Sequence, residues 1–111
     1  MSDFTIRDSG ERREFETGAV RDVQVSKPRP DLISPYALWR IGVHLAKGAE
    51  KYGPRNWEKG MPFSVFVASL CRHLVQYMMK DRVEDHLAAI CFNVMAIMHF
   101  EETGRKELDD L

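Results

Sequence analysis

From Ser34 onward, apolar residues recur at intervals of three and four, the period that gathers them on one face of a helix. Leu38, Ile41, Gly42, Leu45 and Ala49 mark the first such face. Ser34-Pro35 reads as its start: a serine hydroxyl accepts from a free N–H of the first turn, and proline there has no N–H to leave unpaired. Tyr52-Gly53-Pro54 stops this helix near Lys51. Pro62 opens a second helix to about Lys80, with Phe63, Val67, Leu70, Cys71, Leu74 and Met78 as its apolar residues. Ser69, Arg72, His73, Gln76 and Lys80 form its polar stripe. Asp81 and Glu84 have the spacing of a capping box, which predicts a third helix from 82 to about 103, stopped by Gly104. With almost no loop between them, the second and third helices are expected to fold back as an antiparallel hairpin.

The first thirty residues differ. Apolar positions are sparse, six basic residues face six acidic ones, and the segment closes with Lys27-Pro28-Arg29-Pro30. Alternating prolines bias their neighbours towards extended backbone. Residues 1–30 therefore read as an extended arm that either stays mobile or packs along another surface, ahead of a single all-α domain over 31–111. No strand-type alternation stands out, so the expected fold class is all-α.

The third helix is apolar almost all round: Leu87, Ile90, Val94, Ile97 and Met98 on one side, Ala88, Cys91, Phe92 and Met95 on the other. Such a helix must be surrounded, and three helices do not suffice. Self-association into a dimeric or larger helical bundle is the simplest remedy. The net charge of −1 argues against general nucleic-acid binding, which normally needs a basic excess. The longest apolar run, Leu87 to Met98, holds Asn93 and falls short of the roughly 20 residues that span a bilayer. The N-terminus lacks an export signal and the two cysteines lie in helix-like stretches, which points to reduced thiols and a cytoplasmic protein.

Three features could carry chemistry. Asn93 sits in the apolar run, where an amide needs partners, with His86 one heptad earlier and His73 expected opposite; with Arg72 they make a polar cluster between helices. A structural hydrogen-bond network explains that cluster equally well. The second feature is a basic stripe, Arg40, His44, Lys47 and Lys51, continued by Arg55 and Lys59 in a loop that also holds Asn56 and Trp57. Cations beside an exposed aromatic suit a phosphate with a stacked base, although a solvated helix face is the commoner origin of such a stripe. The third is carboxylates for a metal: Glu50, Glu58, Asp81, Glu84 and Asp85, none paired at i, i+3 or i+4 in a helix interior.

The strings RxFETGAVRD (Arg13 to Asp22), KPRPDLISPxAL (Lys27 to Leu38), AKGAEKYGPRNWEKG (Ala46 to Gly60), RHLVQY (Arg72 to Tyr77) and DHLAAICFN (Asp85 to Asn93) resemble the phage and prophage family of dATP/dGTP diphosphohydrolase N-terminal domains. The resemblance implies removal of pyrophosphate from purine deoxynucleoside triphosphates, in the host cytoplasm if the protein is phage-encoded. It also implies kinship with all-α MazG-like pyrophosphohydrolases, in which Mg²⁺ lies between two antiparallel helices and a water attacks the α-phosphorus. Those enzymes carry E-x-x-E and E-x-x-D; here Arg72, His73, His86, Ala89 and Asn93 stand where carboxylates are expected. On this basis Lys51 and Arg55 would hold phosphates, with His44, Lys47 and Asn56 beside them and Trp57 against the base. Arg21 would reach in from the arm of a neighbouring subunit, and Arg72, His73, His86 and Asn93 would line the pocket. Glu50 and Asp85 would be the catalytic Mg²⁺ ligands. The missing dyad leaves an alternative: a non-catalytic protein that sequesters a nucleotide or a cyclic-nucleotide immune signal.

Overall fold

A computed structural model describes residues 5–23 and 27–111, and these divide between Leu32 and Ile33 into two compact units. The larger unit holds three helices: α1 (Pro35–Tyr52), α2 (Phe63–Met78) and α3 (His86–Glu102). Short 3₁₀ turns follow α1 at Asn56–Lys59 and α3 at Lys106–Leu108. The Ser34 hydroxyl accepts the Ala37 N–H at 3.3 Å, and the Gly53 N–H closes α1 on the Ala49 carbonyl at 2.8 Å. α3 packs against α2 and also against α1.

The core sits at one end of this unit. Phe63 and Phe66 of α2 meet Ala96 and Phe100 of α3, all buried, with Trp57, Met61, Ile97 and Leu108 around them. The C-terminal segment is tied in here. Asp110 accepts both the backbone N–H and the hydroxyl of Ser64 in the first turn of α2, at 2.9 and 2.5 Å. Gly60 has φ +101, and a side chain there would meet the Arg105 guanidinium at 2.8 Å. No helix among the described residues is long and apolar enough to cross a membrane.

The α2–α3 connection is longer than the hydrophobic pattern predicts. α2 ends at Met78, Lys80 turns the chain at φ +70, and α3 begins only at His86. The Asp81 carboxylate accepts the Val83 N–H within the turn itself, at 3.0 Å. The N-cap of α3 therefore falls to Asp85, which accepts the Ala88 N–H at 3.1 Å. The D-x-x-E spacing is a turn, not a capping box.

The face of α1 lies as expected in its middle, where Ile41, Leu45 and Ala49 are partly buried, although Leu38 is exposed. The face of α2 departs from its expected orientation. In the second half of α2 the apolar Cys71, Leu74, Val75 and Met78 are exposed, whereas the polar Ser69 and His73 bond to α3.

The smaller unit corrects the all-α expectation. β1 (Arg12–Glu14) pairs antiparallel with β2 (Val20–Asp22) in a two-stranded sheet. Phe15 N–H bonds the Ala19 carbonyl and Gly18 N–H the Phe15 carbonyl, both at 2.8 Å, with Gly18 at φ +84. This is a three-residue hairpin loop whose left-handed position needs glycine. Arg12 bridges Asp8 and its cross-strand partner Asp22. A 3₁₀ turn at Pro30–Leu32 ends the unit.

Candidate functional site

At the end of the helical unit away from the core, polar side chains converge. His86, in the first turn of α3, is fully buried. Its Nε2 lies 3.1 Å from an Asp81 carboxylate oxygen and its Nδ1 lies 2.8 Å from Nδ1 of His73 on α2. A carboxylate only accepts, so Nε2 of His86 donates to Asp81, and on the Nδ1–Nδ1 contact one ring donates to the lone pair of the other. The Val83 N–H and the His86 ring hold the Asp81 carboxyl below its usual range. Burial, followed by the neighbouring His86, pushes the His73 ring towards its neutral form. Ligand atoms of His73, Glu84 and His86 lie within 4.8 Å of one another, a group able to hold a metal ion.

Beside this group Arg40 reaches from α1 and holds both oxygens of Asp85, at 2.8 and 2.6 Å. That pair draws the Asp85 carboxyl down to about 2. His44, one turn further along α1, stacks obliquely on Phe92 with ring centroids 5.4 Å apart. Burial lowers its proton affinity, and the nearby His73 adds to the effect. A cleft of about 300 Å³ opens here, lined by Arg40, Lys47, Tyr77, Arg82, Glu84 and Asp85 among others. Three cations and two acids thus border the buried histidine.

The structure separates the residues singled out in the sequence. It brings together Lys47, His73, Asp85 and His86, with His44 close by. Asn93 lies elsewhere: its amide donates to the Ala89 carbonyl at 2.8 Å and to the Ser69 hydroxyl at 3.3 Å, two helical turns beyond His86. It is satisfied within the helix pair, and His73 bonds His86 instead. Arg72 is exposed on α2. Trp57 packs edge-on against Phe92, His99 and Phe100, with centroids 5.0–5.9 Å apart, as part of the distal core. Near it Arg55 pairs with Glu58, Asn56 opens the 3₁₀ turn, and Lys51 lies over the Tyr52 ring. Arg21 belongs to the smaller unit, where it stands directly opposite Arg13 across the hairpin.

Glu50 and Asp85 do not meet. Asp85 is held by Arg40, and ten residues of helix place Glu50 about 15 Å further along the α1 axis. Mg²⁺ prefers an all-oxygen site, and these two acids do not supply one. Arg82 and Glu84 also line the cleft, although the D-x-x-E spacing points to a capping role for Glu84 and nothing in the helical pattern marks Arg82. Their signal was proximity to His86 in a polar turn between two helices.

The family model described as dATP/dGTP diphosphohydrolase, N-terminal, matches residues 17–111. The chain belongs to this family. The match takes in β2, all three helices and every residue of the cleft. No curated protein and no solved structure matches the chain.

Proposed function

We propose that this family member hydrolyses purine deoxynucleoside triphosphates to monophosphate and pyrophosphate, with the triphosphate seated in the cleft between α1 and the turn before α3. The observation that carries the proposal is the grouping of Lys47 and Arg82 with the buried His86 in a chain of the diphosphohydrolase family. Arginine forks and lysine ammonium groups are suited to phosphate oxygens. Neutralising charge on the phosphates is the main task of a protein in phosphoryl transfer. Arg40 lines the same wall but is paired with Asp85. Arg82 lies over the Tyr77 ring and donates to the Tyr77 and Asp81 carbonyls. Lys47 therefore carries the larger share of phosphate binding, and Arg82 adds its remaining N–H groups.

The helical unit works as part of a homo-oligomer in this proposal. Cys71, Leu74, Val75 and Met78 of α2 are exposed at helical spacing, as are Leu87, Cys91, Val94 and Met98 of α3. Two adjacent uncharged stripes on an antiparallel helix pair suit a second copy packing about a two-fold axis as a helical bundle.

Incubation of the protein with each of the four dNTPs and added divalent metal, followed by mass spectrometry, tests the reaction. Release of dAMP or dGMP with pyrophosphate supports it. Intact nucleotide that co-elutes with the protein would instead make this a sequestering protein.

A further inference from the structure

We infer that His73, Glu84 and His86 form a binding site for one divalent transition-metal ion, with Asp81 as the residue that orients His86. Three features of the geometry support this. First, the ligand atoms come from three different parts of the chain, the C-terminal half of α2, the connecting turn and the first turn of α3, yet lie within 4.8 Å of one another. Second, the Nδ1 atoms of the two rings face each other at 2.8 Å. Two donors on one hydrogen bond are impossible, so at least one ring presents a lone pair to that space. Binding an ion needs the other ring to carry its proton on Nε2 instead of Nδ1, and the two rings to turn so that their Nδ1 atoms open from 2.8 Å to the roughly 3.3 Å that two metal–nitrogen bonds at a tetrahedral angle require. Third, His86 donates its remaining N–H to the Asp81 carboxylate at 3.1 Å. A metal-bound histidine almost always donates its second N–H to such a group, which fixes the tautomer and strengthens the ligand.

The donor set selects the class of ion. Two imidazole nitrogens and one carboxylate suit Zn²⁺, Mn²⁺, Fe²⁺ or Co²⁺, whereas Mg²⁺ favours oxygen alone. Three protein ligands leave coordination positions open, as an ion that meets a ligand or water requires. Glu84 and His86 also line the cleft that holds Lys47 and Arg82. Participation of the ion in hydrolysis rests on the function proposed above; its binding does not.

The test uses the full chain, stripped with chelator and titrated with Co²⁺ and then Zn²⁺ in the absence of nucleotide. Co²⁺ is expected to give visible ligand-field absorption that saturates at one ion per chain, and Zn²⁺ is expected to displace it. His73→Gln and Glu84→Gln, both outside the packed core, should each weaken Co²⁺ by at least about tenfold with helicity unchanged by circular dichroism. Asp81→Asn should weaken it by about 10–100-fold and alter the spectrum, which a purely structural role for Asp81 would not do. Absence of Co²⁺ and Zn²⁺ binding by the unaltered chain overturns the inference, as does unchanged affinity in both ligand variants. Displacement of Co²⁺ by equimolar Mg²⁺ overturns the assignment to a nitrogen-preferring ion. Saturable Co²⁺ binding in a protein that neither binds nor cleaves dNTPs would uphold the metal site and remove only the proposed reaction.

Discussion

Arg40 of α1 and Asp85 at the start of α3 are 45 residues apart in the chain, and the guanidinium holds both carboxylate oxygens in a forked pair. Asp85 also caps α3 through the Ala88 N–H. One side chain thus begins a helix and fixes where α1 crosses it. Asp85→Ala removes both, and loss of an N-cap alone costs about 0.5–2 kcal/mol. Arg40→Ala removes only the partly exposed ion pair, a weaker contribution in water. The expected order in urea unfolding is therefore Asp85→Ala well below Arg40→Ala, with Arg40→Ala close to the unaltered chain. Equal losses would show that the fork, not the cap, holds α3.

Lys47 and Lys51 are one helical turn apart, yet only Lys47 lines the cleft, together with Arg82 from the α2–α3 turn. Lys47→Ala and Arg82→Ala are each expected to weaken dATP or dGTP binding by about tenfold, the loss of one charge-assisted contact. Lys51→Ala combined with Arg55→Ala should change affinity by less than about twofold, because neither residue lines the cleft and Arg55 pairs with Glu58. Calorimetric titration with non-hydrolysable analogues measures all three. A loss confined to the Lys51 and Arg55 variant would move the phosphates to the loop.

The helices were legible because their signals are local: Ser34-Pro35, Tyr52-Gly53-Pro54 and the three-and-four spacing each act over a few residues. The α2–α3 turn was not, because Asp81 had two possible uses. It is as good a cap for a turn at Val83 as for a helix, and the second available acid, Asp85, let the turn win. His73 meets His86, now the first residue of α3, while Asn93 turns to Ser69 and Ala89. The hairpin was hidden for a different reason. Its strands are three residues each and fully or largely exposed, so no buried face imposes alternation, and Gly18 was its one sequence mark. Trp57 illustrates a third limit. A tryptophan among charged residues looks like a ligand platform, yet here three aromatic rings from α3 enclose it.

Acid should destabilise the protein in two stages. Burial holds the proton affinity of His44 below its ordinary 6.5, so the folded state prefers the neutral ring. Its contribution is complete above pH 6.5 and is lost as the pH falls through the lowered folded value. Asp85, drawn from 3.8 to about 2 by Arg40, contributes above 3.8 and loses that contribution towards pH 2. Thermal unfolding followed from pH 8 to pH 3 should show Tm falling first below 6.5 and again below 4. Burial favours the neutral ring of His73 as well, so His44→Phe should reduce the first fall without abolishing it and leave the second. A first fall of unchanged size in that variant would assign it to other groups.

Gly60 joins the 3₁₀ turn after α1 to the start of α2 in a backbone region, φ +101 and ψ 143, that side chains avoid. Non-glycine residues in such regions cost about 1–3 kcal/mol, and an added methyl would also displace the Arg105 guanidinium, 2.8 Å away. Gly60→Ala should therefore lower stability by about that amount in urea titration. Gly42→Ala, in the interior of α1 with open space around it, should raise stability slightly, since alanine favours helix by about 1 kcal/mol over glycine. Equal effects at the two positions would mean that the backbone at Gly60 relaxes freely.

The reversed face of α2 gives the oligomer proposal its sharpest test. Inside a monomer, Leu74 and Met78 would belong against α3 and His73 in water; instead His73 meets His86, and Leu74 and Met78 stand exposed. Folding one polar network inward at the expense of apolar contacts is stabilising only if those side chains are buried in another way, and burial of each is worth about 1.5–3 kcal/mol. A second copy supplies this if its α2 and α3 stripes meet their equivalents about a two-fold axis. Val94→Glu and Met98→Glu place a charge in the middle of the α3 stripe without touching the internal core, where Ala96 and Phe100 lie. Light scattering after gel filtration should show at least a dimer for the unaltered chain and a helical monomer for the double variant. A monomer in both, with equal thermal stability, would mean that this apolar face needs no partner copy.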